Sequence, residues 1–334
     1  MSTIRDVSKQ AGLSIATVSR ALSTPEKVSP ESLKRVQAAI EKLQYRPNML
    51  SQKFRYNSAN SIVVLVPNIA NLFFSTVISG IENVAQKRGF NVLLGDTRDS
   101  MQREQEFIHL VETRQADGLI QLRPYKTNNS LLPKAHVTAV NASGCENTPY
   151  PAVRIDNVAA AKEVMQYLIS LGHKRIGMIS GLKDNPHAID RMRGYKAALA
   201  EAGIEFDPAL VAEGDFTLWS GLNASGHFSR MATPPTALFC MNDEMAIGAI
   251  KGLKSKGIRV PEDISVTGFD DLEFAKYSDP ALTTIAQPAG KIGEKAAELL
   301  FQLLDGTHEG STEFVLPYEF VIRQSTGPAP QNQK

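Results

Sequence analysis

The 334-residue chain has two cysteines, one tryptophan and no apolar run near the ~18 residues of a membrane span. Cys145 and Cys240 stand apart, without CxxC or Cys/His spacing, so neither a disulfide framework nor a zinc site is expected. The six histidines are scattered and read as surface or structural residues. The opening MSTIRDVSKQ lacks the apolar core of a secretion signal, which predicts a cytoplasmic protein with no membrane partner. No GxGxxG follows a strand, and GxxxxGK with Ser or Thr, GxSxG and HExxH are all missing. These gaps argue against a nucleotide cofactor, phosphoryl transfer, a hydrolase elbow and a zinc protease. The expectation is a chain that is not an enzyme and carries no cofactor and no metal.

Charge is nearly balanced overall, at 36 basic against 35 acidic residues, but it is unevenly placed. Residues 1–60 hold ten bases and four acids, a charge of +6, which leaves −5 on the remainder. A basic head on a mildly acidic body suits a polyanion-binding domain joined to a body with another task.

The head is the most specific part of the chain. From Thr3 to Pro47 run three short helical patterns, each opened by a hydroxyl residue fit for an N-cap: Thr3, Ser14 and Ser29. Asp6 follows Thr3 by three places, and Pro30 after Ser29 suits a first helical position. Ala11 and Gly12 supply the tight turn of a helix-turn-helix. Residues Ile4, Val7, Ala11, Leu13, Val18, Leu22, Val36, Ile40 and Leu43 give each helix one apolar face. The second helix turns Ser14, Ile15, Ala16, Thr17, Ser19 and Arg20 outward. Such a set offers a guanidinium for guanine edges, small apolar groups for thymine methyls and hydroxyls for phosphates. The predicted organisation is a DNA-binding head over 1–47, a hinge or linker over 48–60, and a body over 61–334.

The body alternates strands and helices. Ser61 to Pro67 is a continuous β-branched run, the mark of a strand buried on both faces. A helix follows and closes at Gly89, then come a strand over 91–95, a helix over 102–113 and a strand over 118–122. HVTAVNA and AVRI read as two more strands before a helix over 158–171. A second cycle has strand KRIGMIS, a helix over 193–202, strand ALFC, a helix over 244–256 and strand ISVTGFD. The fold class is therefore α/β, with parallel sheets in two lobes behind a helix-turn-helix head. Ligands of open α/β sheets sit beyond the C-terminal strand ends, which places a small molecule between the lobes.

Together TVSRAL, DGLIQL, RIDN, LGHKRIGMISG, PPTALFCMNDEMAIGA, VPEDISVTGFDD and PALTTIAQP, in this order, resemble the lactose/galactose repressor family of bacterial transcription factors. The likeness runs from Thr3 to about Ser325 and is strongest to the family's purine- and cytidine-responsive members. It implies a body similar to periplasmic binding proteins, a homodimer on operator DNA, and a small effector in the interlobe cleft. By the resemblance, Ile15, Ala16 and Arg20 read bases, and Thr3, Ser14, Thr17 and Ser19 hold phosphates. Tyr45 and Asn48 meet the DNA backbone, and Phe54 stands at the minor-groove wedge of a hinge helix over 48–55. The flank NMLSQKFRYNS lacks the family's alanine-rich helix, so this segment is either a wedge helix or a flexible tether, with the tether favoured.

In the body, Phe73 and Phe74 follow the first strand, where an aromatic ring could stack on them or they could simply pack in the core. The resemblance adds Asn141, Arg191, Phe216, Asp243 and Asp270 as effector contacts. Asp270, at the end of ISVTGFD, can accept two hydroxyls, as a ribose or sugar requires. Asp156 reads as a structural acid near the crossover between lobes. The expected effector is a nucleoside, cytidine first, that relieves repression by lowering DNA affinity. A purine base or sugar is the alternative within the family, and a plain small-molecule-binding protein is the alternative outside it. A second transcription factor on the same promoter is a further candidate partner.

Overall fold

The structure, a computed structural model, describes residues 2–45, 58–123, 137–144 and 150–331. The chain divides into two compact units, Met1–Asn60 and Ser61–Lys334. No helix among the described residues is long and apolar enough to cross a membrane.

The first unit holds α1 (Ile4–Ala11), α2 (Ile15–Ser23) and α3 (Pro30–Leu43), with a 3₁₀ turn at Pro25–Lys27. Thr3, Ser14 and Ser29 cap the three helices as expected, and Thr3 with Asp6 forms a reciprocal capping box. Gly12 ends α1 at φ +62°, a left-handed conformation that suits glycine. From α3, Arg35 donates Nε to the Ala11 carbonyl at 3.0 Å and Nη2 to the Gly12 carbonyl at 3.1 Å. The third helix thus braces the turn that sets the second. Val7, Ala11, Val18, Ala21, Val36 and Ala39 fill the small core.

The second unit contains two parallel sheets. One lobe is built on β1 (Ser61–Val66), β2 (Asn91–Asp96), β3 (Gly118–Gln121), β4 (Ala139–Ala142), β5 (Ala152–Arg154) and the late strand β11 (Glu313–Val315). They lie in the order β11-β5-β4-β3-β1-β2. Helices α4 (Leu72–Lys87) and α5 (Met101–Glu112) connect its early strands. The other lobe has β6 (Ile176–Ser180), β7 (Val211–Glu213), β8 (Ala237–Cys240) and β9 (Ser265–Thr267), in the order β7-β6-β8-β9. It carries α6 (Asn157–Ser170), α7 (Pro186–Glu201), α8 (Leu218–Ser229) and α9 (Asp243–Lys254). Asp156 caps α6 by accepting the Ala159 N–H at 2.9 Å, a structural role at the passage between lobes.

Beyond Asp270 the sequence assigned no elements, yet α10 (Glu273–Tyr277), β10 (Thr284–Ala286), α11 (Ala289–Asp305) and β12 (Glu319–Val321) are all present. The 17-residue α11 returns the chain to the first lobe and packs on α4, while β10 pairs antiparallel with β12. Its signals were legible: Ile292, Ala296, Leu299 and Leu300 are buried at helical spacing, and Gly306 caps it at φ +66°. The segment α8 is rich in Gly, Ser and Asn, weak helix formers that packing against α9 overrides. Helix α7 starts seven residues before the predicted 193–202, because Asn185 caps it from the loop after β6.

Glycines let three helix pairs approach until their backbones touch. A Cβ at Gly80 on α4 would strike the Gly290 carbonyl of α11, and one at Gly293 on α11 would strike the Val77 carbonyl of α4. Gly221 and Gly248 do the same for α8 and α9, and Gly194 for α7 against α6. Gly293→Ala is expected to force α4 and α11 apart and cost about 1–3 kcal/mol of body stability. Urea unfolding of the full chain checks this, and an unchanged midpoint would refute the close-contact account.

Candidate effector cleft and DNA-reading face

On α2, Ile15, Ala16 and Arg20 are exposed side by side, as the base-reading expectation requires. Ser14 accepts the Thr17 N–H at 3.1 Å, and the two hydroxyls are bonded at 2.8 Å. Thr3 donates its hydroxyl to Asp6 Oδ2 at 2.7 Å, so its capping role is fully formed without DNA. Tyr45 packs partly buried against the head's core. Asn48 and Phe54 lie outside the described residues, as does the hinge segment around them.

In the body, a cavity of about 310 Å³ opens between the lobes, a size in keeping with small-molecule sites. Its walls come from the C-terminal ends of strands in both sheets: Asn68 and Asn71 after β1, Arg123 after β3, Ser143 after β4, His187 after β6, Asp215 after β7, Asn242 after β8 and Asp270 after β9. Phe73, Phe74 and Phe216 supply its aromatic surface. The Phe73 and Phe74 rings meet edge-to-face with centroids 5.6 Å apart. Phe73 is buried and Phe74 half-buried, so packing and cavity lining are combined in the pair. Asn71 places both by accepting their backbone N–H groups at 3.1 and 3.3 Å.

Arg191 forms the polar floor. It lies one turn inside α7, buried, with its guanidinium carbon 3.6 Å from the centroid of the Phe269 ring. Nε donates to Asn157 Oδ1 at 2.9 Å, Nη1 donates to the Met241 carbonyl, and Nη2 stands 3.7 Å from Asp270 Oδ1. Burial lowers its pKa to about 10, against the pull of Asp270, so it stays charged at neutral pH. Asp270 is pushed up to about 6 by burial, although Arg191 and a 2.7 Å bond from Gln287 Nε2 hold it down. Its backbone sits at φ +112° and that of Asp271 at +52°, conformations costly for residues with a Cβ. Phe216 is also left-handed, at φ +68°, and its ring fills the space where a Cβ on Gly181 would lie.

Two polar contacts cross from lobe to lobe within the cleft. Ser143 Oγ and His187 Nε2 lie 3.4 Å apart, and the backbone N–H of Leu72, the first residue of α4, lies close enough to the Glu244 carboxylate on α9 to favour its ionised form. Burial, with the nearby Arg191 charge, drops the His187 pKa to about 3, so it is neutral.

The sequence also named Asp243 and Asn141, and neither is among the residues that line the cavity. Asp243 is the first residue of α9 and turns inward. Its Oδ2 accepts the Leu272 N–H at 2.7 Å and its Oδ1 the Thr284 hydroxyl at 2.6 Å, completely buried. Burial raises its pKa well above the usual carboxylate range. The neighbouring Asn242, the N-cap, is the residue that reaches the cavity wall. Its Oδ1 caps Met245 N at 3.0 Å and its Nδ2 donates to the Phe216 carbonyl at 2.9 Å, so it also fixes the aromatic wall. Asn141 is fully buried and donates Nδ2 to the Arg123 carbonyl at 3.2 Å. Sequence reasoning missed Asn242, Asp215, Glu244, His187 and Gln287. The strand-end rule that picked Asp270 would have found Asn242, the cap between strand and helix.

If Asp243 anchors α9 to the segment after β9, Asp243→Ala is expected to remove about 1–3 kcal/mol of stability by orphaning the Leu272 N–H and Thr284 hydroxyl. Chemical denaturation at pH 7 measures it, and an unshifted midpoint would return Asp243 to a role other than structural.

Residues 3–48 match the family described as bacterial regulatory proteins, lacI family, and residues 165–326 match a periplasmic binding protein-like domain. The HTH-type transcriptional repressor CytR of Escherichia coli K12 is 40% identical over 331 residues, covering 98% of this chain and 97% of that protein. Catabolite control protein A of Priestia megaterium is 34% identical over 97% of this chain and 99% of its own. Among solved structures, the lac repressor dimer bound to operator and the anti-inducer ONPF superposes with a TM-score of 0.89 at 28% identity, over 98% of this chain and 99% of that one. These relatives are transcriptional regulators rather than enzymes, and their likeness spans head and body alike. The chain belongs to the lacI family of bacterial regulatory proteins.

Proposed function

We propose that this DNA-binding transcriptional repressor answers to a nucleoside, cytidine first, bound in the interlobe cavity, and that the nucleoside lowers its affinity for operator DNA. The observation that carries the reading is one cavity holding both Phe73, Phe74 and Phe216 and the Asp270–Arg191 pair. Aromatic faces suit a planar base. An ionised carboxylate beside a guanidinium suits the paired hydroxyls of a ribose. A relative with bound ribose, 30% identical over 80% of this chain at a TM-score of 0.71, favours a plain sugar as the second reading. The aromatic wall favours the nucleoside over it. Asn242, which the cavity wall presents, takes the ligand-facing place that the sequence reading gave to Asp243.

In the head, Ile15, Ala16 and Arg20 read base edges, with Thr3, Ser14, Thr17 and Ser19 on phosphates and Tyr45 and Asn48 near the DNA backbone. One such helix spans few base pairs, so a homodimer on an inverted repeat supplies the specificity. Residues 48–60 link the units, with Phe54 at the wedge position or in a tether. Arg20→Ala is expected to cost about 1–3 kcal/mol on the specific site and far less on random DNA. Fluorescence anisotropy on both DNAs measures this, and an equal loss on the two would remove Arg20 from base reading.

Asp270→Asn is expected to abolish most of the effector response while leaving operator affinity near the wild-type value. The pH dependence has a defined sign. With a pKa of about 6 in the empty cleft, Asp270 accepts two donors only as the carboxylate, so nucleoside affinity should rise from pH 5 to about 7 and then level. Calorimetry with cytidine, adenosine, hypoxanthine and galactose tests both points. Tight binding of galactose or hypoxanthine with none of cytidine or adenosine would overturn the nucleoside reading, and a flat profile from pH 5 to 7 would remove Asp270 from the contact.

A further inference from the structure

The charges on the cavity wall do not balance. Four carboxylates line it, Asp99, Asp215, Glu244 and Asp270, against the guanidiniums of Arg123 and Arg191 and the neutral imidazole of His187. Arg123 Nη1 pairs with Asp99 Oδ1 at 3.0 Å, and Arg191 faces Asp270. Asp215 and Glu244 therefore have no cation of their own among the described residues. Instead they are held by neutral donors. Asp215 Oδ1 takes the Thr217 N–H at 3.0 Å and the Thr217 hydroxyl at 2.6 Å, and the Leu72 N–H of the opposite lobe lies near Glu244.

Position makes the pair informative. Asp215 directly precedes Phe216, and the N–H near Glu244 belongs to the residue before Phe73 and Phe74. Both carboxylates line the cavity from the second lobe, close in the chain or across the cleft to the segments that carry the aromatic rings. They lie near enough for Asp215, after burial, to add to the raised proton affinity of Glu244. By contrast, bonds from Thr217 and Ser220 outweigh burial at Asp215 and keep its pKa low. An ionised carboxylate has acceptor sites only. A ligand edge facing this pair must donate hydrogen bonds, and a carbonyl there would set lone pairs against lone pairs.

We propose that Asp215 and Glu244 are specificity-determining residues that accept hydrogen bonds from an exocyclic amino group on an aromatic ring seated among Phe73, Phe74 and Phe216. The assignment rests on the nucleoside reading and narrows it to amino-bearing bases. Cytidine and uridine are the discriminating probes, because they share the ribose and differ along one edge: cytidine has an amino group with two donors beside an acceptor nitrogen, uridine a carbonyl beside a single N–H donor. Titration calorimetry on the full chain should give cytidine roughly 10-fold tighter binding than uridine, the low end of what an unpaired polar group costs, because Asp215 is exposed and Glu244 half-buried. In the Asp215→Asn/Glu244→Gln variant the amides can donate as well as accept, and the ratio should fall below about threefold. Glu244→Gln alone, with thermal unfolding as the fold control, gives the same reading if the double variant does not fold. Equal wild-type affinities for the two nucleosides, or a ratio unchanged in the folded variant, would overturn the assignment while leaving a nucleoside effector standing. Binding of a sugar or free purine with no response to either nucleoside would overturn the nucleoside reading itself, and this assignment with it.

Discussion

One guanidinium taken out of water organises the ligand-binding half of this molecule. Arg191 cannot shed its proton at neutral pH, so every donor it carries needs an acceptor and its charge needs a counter-charge. Those partners come from four places in the chain: Asn157 at the start of α6, the Met241 carbonyl past β8, the Phe269 ring and Asp270 past β9. Each is a strand end or helix start, and satisfying one side chain draws them into a single floor. Asp270 remains incompletely satisfied. Its carboxylate is buried, 3.7 Å from the nearest guanidinium nitrogen and on strained backbone, which leaves acceptor capacity facing the cavity. A ligand donor could share that carboxylate with Gln287 Nε2, 2.7 Å away.

The fold was legible where a residue type has one structural meaning. The caps at Thr3, Ser14 and Ser29, the turn at Gly12 and the β-branched run of β1 are local signals, and the elements follow them. The elements that escaped are those whose reason lies elsewhere in the chain. Helix α8, with Gly221, Ser225 and Gly226, is a helix because α9 lies against its glycine backbone, not because of its own propensity. Strands β7, β10, β11 and β12 are three residues each, too short for periodicity to register. Helix α11 carried full helical signals, and with it the return to the first lobe, but two complete α/β cycles already accounted for two lobes.

The start of α9 was the least legible part of the cleft. Asp243 and Asn242 stand together at the end of β8, and the family resemblance pointed to the acid. Helix geometry separates them. The N-cap residue has extended backbone and stays at the rim, whereas the next residue has entered the helix and here points into the interior. The polar Asp243 side chain is then spent on the Leu272 N–H and the Thr284 hydroxyl. Glu244, one residue further, emerges on the cavity side. Three successive polar residues thus do three different jobs, and no pattern in the sequence distinguishes them without the helix start.

A ligand can shift an equilibrium between lobe arrangements only by its differential affinity for them, typically about 1–3 kcal/mol of coupling. Most of the cavity cannot provide that difference, because contacts to residues of one lobe move with it. The groups that can are those whose partners lie on opposite lobes. Among the described residues, Ser143 with His187 and the Leu72 N–H near Glu244 are two such contacts along the cleft. Glu244 is the better placed of the two, because its carboxylate lies beside the first turn of α9 and of α4 at once and gains from both helix dipoles while the lobes stay together. A ligand donor that engages Glu244 must either share this carboxylate with Leu72 or take it over. Sharing would tighten the present arrangement of the lobes, and taking over would release it.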